Sequence, residues 1–164
     1  AQADIDRDTA AIGKFFKELG FKADALKPTG ANVNQYSSNG IPQYTIRQRL
    51  SLRTDDIDKA QAAVARQFDL VRRGVVLEDG SGMSYTFTKL DEIKPQMVAS
   101  ATKDARRSAE QFAEDSGTDV GGIKSATQGY FSINSRDGDG GGYGVTDTPY
   151  KKVRVVTTVN FYLD

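Results

Sequence analysis

The chain has 164 residues, 22 basic and 22 acidic side chains, and no histidine, cysteine or tryptophan. This composition excludes thiolate catalysis, disulfides, zinc sites built from cysteine and histidine, and every catalytic triad that uses imidazole as its base. The zero net charge argues against nucleic acid and anionic membranes as partners, and the length predicts one domain with a sizeable core.

The first predicted elements are a helix and a β-hairpin. Apolar residues recur at helical spacing over residues 4–20, and Gly20 ends the helix. Residues 31–38 predict an extended segment, Asn39-Gly40 a turn, and residues 43–53 a strand with one face in the core and one in water. The expected core residues are Ile5, Ile12, Phe16 and Leu19 of the helix, and Tyr44, Ile46, Leu50 and Leu52 of the strand.

A second helix and a second hairpin are predicted next. Thr54 or Asp55 caps this helix, and Gly74 ends it after an arginine-rich last turn that suits the helix dipole. Residues 75–78 and 83–88 then predict two strands, because the Asp-Gly step between them is typical of a tight hairpin turn. The expected buried face of the helix consists of Ile57, Ala60, Val64, Phe68 and Val71.

The third predicted helix carries the longest apolar stripe, and two long strands follow it. The helix runs from Leu90 to Gly117, with a short first turn and a restart at Pro95, since proline suits a first helical position. Residues 123–133 and 152–163 predict the strands. The stripe consists of Leu90, Ile93, Met97, Ala101, Ala105, Ser108 and Phe112.

These elements predict the fold class. Three helix–strand–strand units, beginning near residues 4, 55 and 90, indicate an α+β fold with helices packed on one face of a mostly antiparallel sheet. No repeat of fixed period accompanies the pattern, which argues against solenoids and propellers. The apolar runs are too short to cross a membrane.

Two local motifs resemble functional sites without the companions that those sites need. Ser100 and Lys103 match the Ser-x-x-Lys box of serine acyl enzymes, but the partner motifs are absent, and Ser100 is expected near the border of the apolar stripe, with Lys103 roughly on the opposite, wet side of the helix from that stripe. Asp137 and Asp139 resemble the start of a calcium loop, but its twelfth position is Thr148 rather than glutamate. We expect a flexible connection there, with Asp137 and Asp139 as weak metal candidates, and we predict no cofactor.

A row of arginines marks the polar face of the second strand. Arg47, Arg49 and Arg53 alternate with apolar residues and share that face. They form a candidate surface for an anion or an acidic partner, and the alternative is the solvated face of an outer strand.

Five ordered stretches then carry a family resemblance. They are residues 90–95 (LDEIKP), 101–106 (ATKDAR), 109–117 (AEQFAEDSG), 123–129 (IKSATQG) and 151–159 (KKVRVVTTV). Together they resemble the SIMPL domain family, and the likeness covers essentially the whole chain, which is therefore expected to form a single SIMPL-like domain over residues 1–164.

The resemblance implies a bacterial extracytoplasmic protein that enters the periplasm behind an N-terminal signal or a single membrane anchor, its only expected link to a membrane. It also implies a leading strand that is missing here, and the edge so exposed would suit pairing with another chain. A periplasmic immunogenic protein of the family forms a ring-like oligomer, which implies homo-oligomerisation. The family provides no established catalytic residues to carry over.

Two functional hypotheses follow. The first is a non-enzymatic domain that acts through self-association at strand edges, or through an unknown protein partner, in envelope or oxidative-stress physiology. The second is a small-molecule or carbohydrate-binding protein, or a carboxylate-dependent hydrolase, with a pocket on the sheet. The second needs a pocket with converging polar side chains.

Overall fold

The computed structural model describes residues 2–78, 82–138 and 146–164, and the chain divides into an N-terminal unit, Ala1–Met83, and a C-terminal unit, Ser84–Asp164. The class is α+β, as predicted. The helices are α1 (Gln2–Glu18), α2 (Ile57–Ala65), α3 (Phe68–Arg72) and α4 (Leu90–Ser116), with one turn of 3-10 helix at Ala23–Ala25. The strands are β1 (Leu26–Ser38), β2 (Ile41–Leu52), β3 (Val120–Gln128), β4 (Ser132–Ser135), β5 (Lys151–Arg154) and β6 (Thr157–Leu163).

Aromatic side chains centre the core of the N-terminal unit. Phe15 of α1 is 1% exposed, and its ring meets that of Phe16 edge to face at 5.2 Å. The Phe16 ring meets Phe21 in the same way at 5.6 Å, just after Gly20 (φ +85°) ends the helix as predicted. Three of the residues predicted for the core, Ile12, Phe16 and Leu19, are only partly buried against this cluster, and the buried Phe15 was not among those predicted. The core consists of Phe15, Phe21, Ala63, Leu70 and Val75.

The first hairpin is longer than predicted. Strands β1 and β2 pair antiparallel from Leu26↔Leu52 to Ser38↔Ile41, with one register shift between Pro28 and Gly30. The turn is the predicted one, since Asn39 (φ +51°) and Gly40 (φ +75°) both adopt the left-handed conformation of a type I′ turn. This local turn fixes which residues of the two strands face each other.

The second predicted helix differs in its cap, its continuity and its buried face. Asp56 is the N-cap, and its carboxylate accepts a hydrogen bond from the Lys59 backbone N–H at 3.0 Å, so Thr54 and Asp55 were the wrong choices. The helix is also divided into α2 and α3. It approaches the aromatic core through Ala63 and Leu70, whereas Phe68 is 66% exposed. The aromatic rings already fill the space, and a small alanine lets the helix approach them closely.

The predicted second hairpin is wrong for the described residues 75–78 and 82–88, which contain no strand. Val75 is instead buried in the N-terminal core. Burial alternates over residues 82–88, and the Tyr85 N–H donates to the Thr146 carbonyl at 2.7 Å. The alternation therefore reflects which side chains of this segment are covered. Residues 79–81 of the predicted turn lie outside the described part.

Helix α4 is continuous through Pro95, so the predicted restart is wrong. Pro95 lies in the second turn, where its missing N–H leaves only the Asp91 carbonyl without its helical donor. The helix ends at Gly117 (φ +72°), as predicted. Its buried face differs near this end, because Ala113 is 3% exposed and Phe112 is 75% exposed. Among the described residues, no helix combines the length and apolarity needed to span a membrane.

The two long C-terminal strands are each divided in two. Strand β3 pairs with β6 and β4 with β5, both antiparallel, so the described strands form three two-stranded sheets rather than one larger sheet. The interruption falls at Gly129, whose N–H donates to the Val156 carbonyl at 2.8 Å. A Cβ at Gly129 would lie 3.0 Å from that oxygen, so glycine permits the close approach. Helix α4 packs against β6 and β3.

Candidate functional site

The predicted arginine row lies on the exposed face of β2. Arg47 lies opposite Asn32 of β1 and Arg49 opposite Gly30, so both point to one face of the hairpin, whereas Arg53 follows just after the end of β2. Arg47 forms an ion pair with Glu78 across half-exposed side chains. Exposed pairs of this kind contribute little to stability, because water screens them.

Arg49 and Arg53 have no ion-pair partner in the described part of the chain, and Lys27, opposite Ser51, adds a further cation to the face of Arg49. The structure therefore places Arg47 and Arg49 on one face of β2, and Glu78 partly neutralises the charge there through its ion pair with Arg47.

The outer part of the hairpin has a different character. Residues 28–46, here called the distal hairpin, contain no Asp, Glu, Lys or Arg, although 27% of the chain is charged. Every residue from 28 to 44 is exposed. Large apolar side chains lie among them, including Val33 (61% exposed), Ile41 (60%) and Tyr44 (57%). An exposed surface without charge and with several large apolar side chains is typical of an interaction site.

The pairing register sorts these side chains between the two faces of the distal hairpin. Val33 lies opposite Ile46 and Gln35 opposite Tyr44, so Val33, Ile46 and Tyr44 share one face. Tyr36 and Ile41 lie on the other face. Both faces therefore combine aromatic and aliphatic groups with polar, uncharged ones.

The outer edges of the hairpin offer main-chain hydrogen-bonding groups. Within the described residues β1 pairs only with β2, so each strand has one edge without a strand partner. Such an edge can bind an additional strand through backbone hydrogen bonds. The distal hairpin is the described surface best suited to binding another polypeptide.

The metal candidate Asp137 is already engaged. Its two carboxylate oxygens accept hydrogen bonds from the Arg136 guanidinium, each at 2.8 Å, and this contact lowers the pKa of Asp137. The Arg136 guanidinium also lies 4.5 Å from the centre of the Tyr150 ring. Asp139 lies outside the described residues. Among those described, no group of three or more histidine, cysteine, aspartate or glutamate side chains could hold a metal ion.

The Ser100 and Lys103 side chains do not form the hydrogen-bonded pair that a serine acyl enzyme uses. Ser100 and Lys103 are both exposed on α4, and no hydrogen bond joins them.

A surface cavity of about 620 Å³ lies beside α1 and is lined by Gly13, Lys14, Lys17 and Glu18. Glu18 accepts a hydrogen bond from the Arg73 guanidinium, which lowers the pKa of the carboxyl group. The lining therefore presents two lysines and one carboxylate that is already paired.

Sequence reasoning missed the distal hairpin as a surface. The extended character of residues 31–38 and the Asn-Gly turn were identified, but the absence of charge over residues 28–46 was not weighed. That absence was the available signal, because exposed strands are ordinarily protected by charged side chains.

None of the curated proteins matches the chain. A family model described as "SIMPL: Protein of unknown function (DUF541)" matches residues 1–161. The match covers nearly the whole chain, and the chain belongs to the SIMPL family.

Proposed function

We propose that this chain is a non-enzymatic, extracytoplasmic domain that acts through contacts with other polypeptides, either copies of itself or a protein partner. The observation that carries the proposal is the distal hairpin, which is exposed, uncharged and rich in large apolar side chains. Such a surface costs solubility unless a partner covers it, because exposed apolar area is unfavourable in water. The extracytoplasmic location, and a role in envelope or oxidative-stress physiology, rest on the family resemblance alone.

Covering this surface gains free energy from two sources. Burial of Val33, Ile41 and Tyr44 removes apolar area from water, at roughly 25 cal/mol per Å². Pairing of a free strand edge adds backbone hydrogen bonds, each with a net contribution of about 1 kcal/mol. Neither source requires a charged partner, which agrees with the zero net charge of the chain.

The test is the solution mass of the full chain over a roughly thousand-fold range of concentration, by analytical ultracentrifugation, together with a cross-linking pull-down from the periplasmic fraction of an expressing bacterium. We expect the mass to rise with concentration or a discrete partner to be captured. A strictly monomeric protein that captures nothing would contradict the proposal. Ile41→Ser is the informative variant and Ser51→Thr its control, since Ser51 lies outside the distal hairpin.

A second candidate function is binding of a small anionic ligand or a carbohydrate in the cavity beside α1. The two lysines of its lining favour an anion. A carboxylate-dependent hydrolase is less well supported there, because that chemistry needs a pair of carboxyl groups and Glu18 is the one carboxylate among the described residues of the lining. Calorimetric titration with anionic sugars, compared between the native chain and Lys14→Gln, tests this alternative.

A further inference from the structure

The basic and acidic side chains of this protein are unevenly distributed along the chain. Residues 26–53, which include the uncharged distal hairpin, contain four basic side chains and no Asp or Glu. The whole chain has equal numbers of both, so the rest of it has four more acidic than basic side chains. A local excess of positive charge attracts acidic groups. The four basic residues are Lys27, Arg47, Arg49 and Arg53.

One face of the hairpin combines two of these cations with uncharged polar groups. The register places Asn32 opposite Arg47 and Tyr36 opposite Gln43, and residues two apart along a strand share a face. From Gln43 to Arg49 this face is about 20 Å long, at about 3.3 Å per residue. We call it the polar face, and all six of its residues are exposed. It consists of Asn32, Asn34, Tyr36, Gln43, Arg47 and Arg49.

The opposite face of the hairpin is the one that packs within the N-terminal unit. Leu52 is partly buried against the aromatic core, and the Thr9 hydroxyl of α1 donates a hydrogen bond to the Gln48 side chain at 3.2 Å. By contrast, the three amides of the polar face have no hydrogen-bond partner among the described residues. Their donors and acceptors are therefore open to a ligand.

One carboxylate is already bound at the polar face. Glu78 forms an ion pair with Arg47, and both side chains are about half exposed. Arg49 lies two residues further along the same face, about 7 Å away between Cα atoms, and has no ion-pair partner in the described part of the chain. Arginine binds carboxylates through two parallel N–H donors. The polar face therefore has one occupied and one open position for a carboxylate.

The amides and the tyrosine indicate what else a ligand of this face carries. An amide side chain both donates and accepts hydrogen bonds, and so does a sugar hydroxyl group. The Tyr36 ring is 54% exposed and offers an apolar surface to the C–H side of a sugar ring. We propose that the polar face binds an extended polysaccharide that carries carboxylate groups. Arg49 binds a carboxylate, and the amides bind hydroxyl groups beside it.

Two other acidic polymers fit the polar face less well. Duplex DNA carries one negative charge per about 1.7 Å, so the roughly 13 Å between Gln43 and Arg47 would face several phosphates without a cation. An extended acidic peptide binds best at a strand edge, where its backbone hydrogen bonds are used, rather than across a strand face. A polysaccharide supplies spaced carboxylates and many hydroxyl groups.

The first experiment titrates the full chain with oligogalacturonate, whose sugar rings carry carboxylates, and with its uncharged methyl ester, by calorimetry at low salt. We expect the acid form to bind about tenfold more tightly, because the ester gives Arg49 no carboxylate to pair with. Added salt should weaken binding, since it screens exposed charges. Equal binding of the two forms, or no binding of the acid form, would overturn the proposal.

Three charge variants locate the carboxylate. Arg49→Gln should weaken binding of oligogalacturonate about fivefold, whereas Arg107→Gln, which removes the same charge from an exposed position of α4, should leave it unchanged. Glu78→Gln should strengthen binding about twofold, because it frees Arg47. Equal losses for the two arginine variants would show an effect of net charge alone and contradict the proposal, as would weaker binding by Glu78→Gln.

A pair of amide variants tests whether the ligand is a sugar. Asn34→Ala should weaken binding of oligogalacturonate about threefold and leave binding of polyglutamate unchanged. Gln35→Ala is the matched control, since Gln35 is exposed on the opposite face, and it should change neither. Circular dichroism shows that each variant keeps its fold. If polyglutamate binds as tightly as oligogalacturonate, or if Asn34→Ala binds the sugar like the native chain, a polysaccharide is the wrong class of partner.

This proposal concerns a different surface and a different class of partner from the proposed function, and it does not depend on that function. The solution mass and the pull-down are measured without polysaccharide, so either proposal can fail while the other stands. Lys14→Gln separates the polar face from the cavity beside α1. Oligogalacturonate binding that is lost in Lys14→Gln and kept in Arg49→Gln would place the ligand in that cavity and overturn the polar face.

Discussion

The two units of the chain are built from similar elements but are stabilised differently. In the described part of the N-terminal unit, five hydrophobic residues are buried, namely Phe15 and four residues that cluster with it. In the described part of the C-terminal unit, Ala113 is the one hydrophobic residue classed as buried. The first unit depends on a small aromatic core, and the second on strand ladders covered by a helix with small side chains.

Helix α4 shows how the second arrangement works. The Arg106 guanidinium lies 4.9 Å from the centre of the Phe161 ring and donates to the Gly121 carbonyl at 3.3 Å. Its stem adds apolar cover while its charged end bonds the backbone of β3. We therefore expect the stability of the first unit to depend most on the large side chain at its centre. We expect the stability of the second unit to fall when volume is added where α4 contacts its strands.

The largest expected effect is the loss of the aromatic centre. Phe15→Ala should destabilise the N-terminal unit by about 3–5 kcal/mol, since a fully buried phenylalanine leaves a cavity. The measurement is hydrogen exchange resolved by segment, which reports the two units separately. Phe112→Ala is the matched control, because Phe112 is 75% exposed, and we expect it to change little. Similar losses for the two variants would remove the distinction between the units.

Added volume tests the second unit. Ala113→Leu should destabilise the C-terminal unit by about 2 kcal/mol, because the buried Ala113 leaves no room for a larger side chain. Ala99→Leu, on an exposed position of the same helix, should be nearly neutral. Urea unfolding curves of both variants provide the measurement. A neutral Ala113→Leu would show that α4 packs loosely on its strands.

A smaller loss of stability is expected from a substitution at Gly129, where the C-terminal strand ladders are interrupted. Gly129→Ala brings a Cβ to 3.0 Å from the Val156 carbonyl oxygen and should cost about 1 kcal/mol. Gly122→Ala is the control, since its Cβ would have no atom within 4 Å. The melting temperatures of the two variants are compared by thermal unfolding. Equal melting temperatures would show that the backbone near Gly129 and Val156 shifts to accommodate the added Cβ.

The smallest effect concerns an ion pair of the N-terminal unit. The hydrogen bond from Arg73 lowers the pKa of Glu18 from 4.5, so the folded chain binds the proton of Glu18 less readily than the unfolded chain. Its contribution to stability is present above about pH 4.5 and is lost as the pH falls through the lowered pKa. Glu18→Gln should lower the melting temperature slightly at pH 7 and leave it unchanged at low pH.

The control for this prediction is Glu110→Gln, at an exposed position of α4 without an ion pair among the described residues. A difference from the native chain that persists unchanged into acid would show that Glu18 acts through packing rather than charge.

The predictions from sequence succeeded where local chemistry decides the structure. Gly20, Gly74 and Gly117 all have positive φ at helix ends, and Asn39-Gly40 forms its turn, because these conformations depend on the residues themselves. The predictions failed where a distant partner decides. Helical spacing identified an apolar stripe on α2 but could not show that the aromatic core selects the neighbouring Ala63.

In the candidate site, too, the features set by local sequence were predictable, and those set by distant partners were not. The arginine row could be placed on one face of β2 because strand geometry alternates side chains with a period of two. The extent of the distal hairpin depends on the pairing of β1 from Leu26 onward, and residues 26–30 lack the alternation that marks a strand in sequence. The engagement of Asp137 by Arg136 depends on the loop conformation, which the sequence pattern does not specify.

The strand ladders also differ in the number of residues that separate their paired strands in sequence. This separation affects the order in which the ladders form during folding. β1 and β2 meet around two residues, Asn39 and Gly40, and hairpins of this kind form in about 1–10 μs. The ladder of β4 and β5 begins only where Ser135 meets Lys151, across the whole of residues 136–150. The entropy lost on closing a loop rises with its length, so this ladder starts at a disadvantage. The uncharged hairpin is therefore expected to be in place, with its edge available, before the C-terminal ladders are complete.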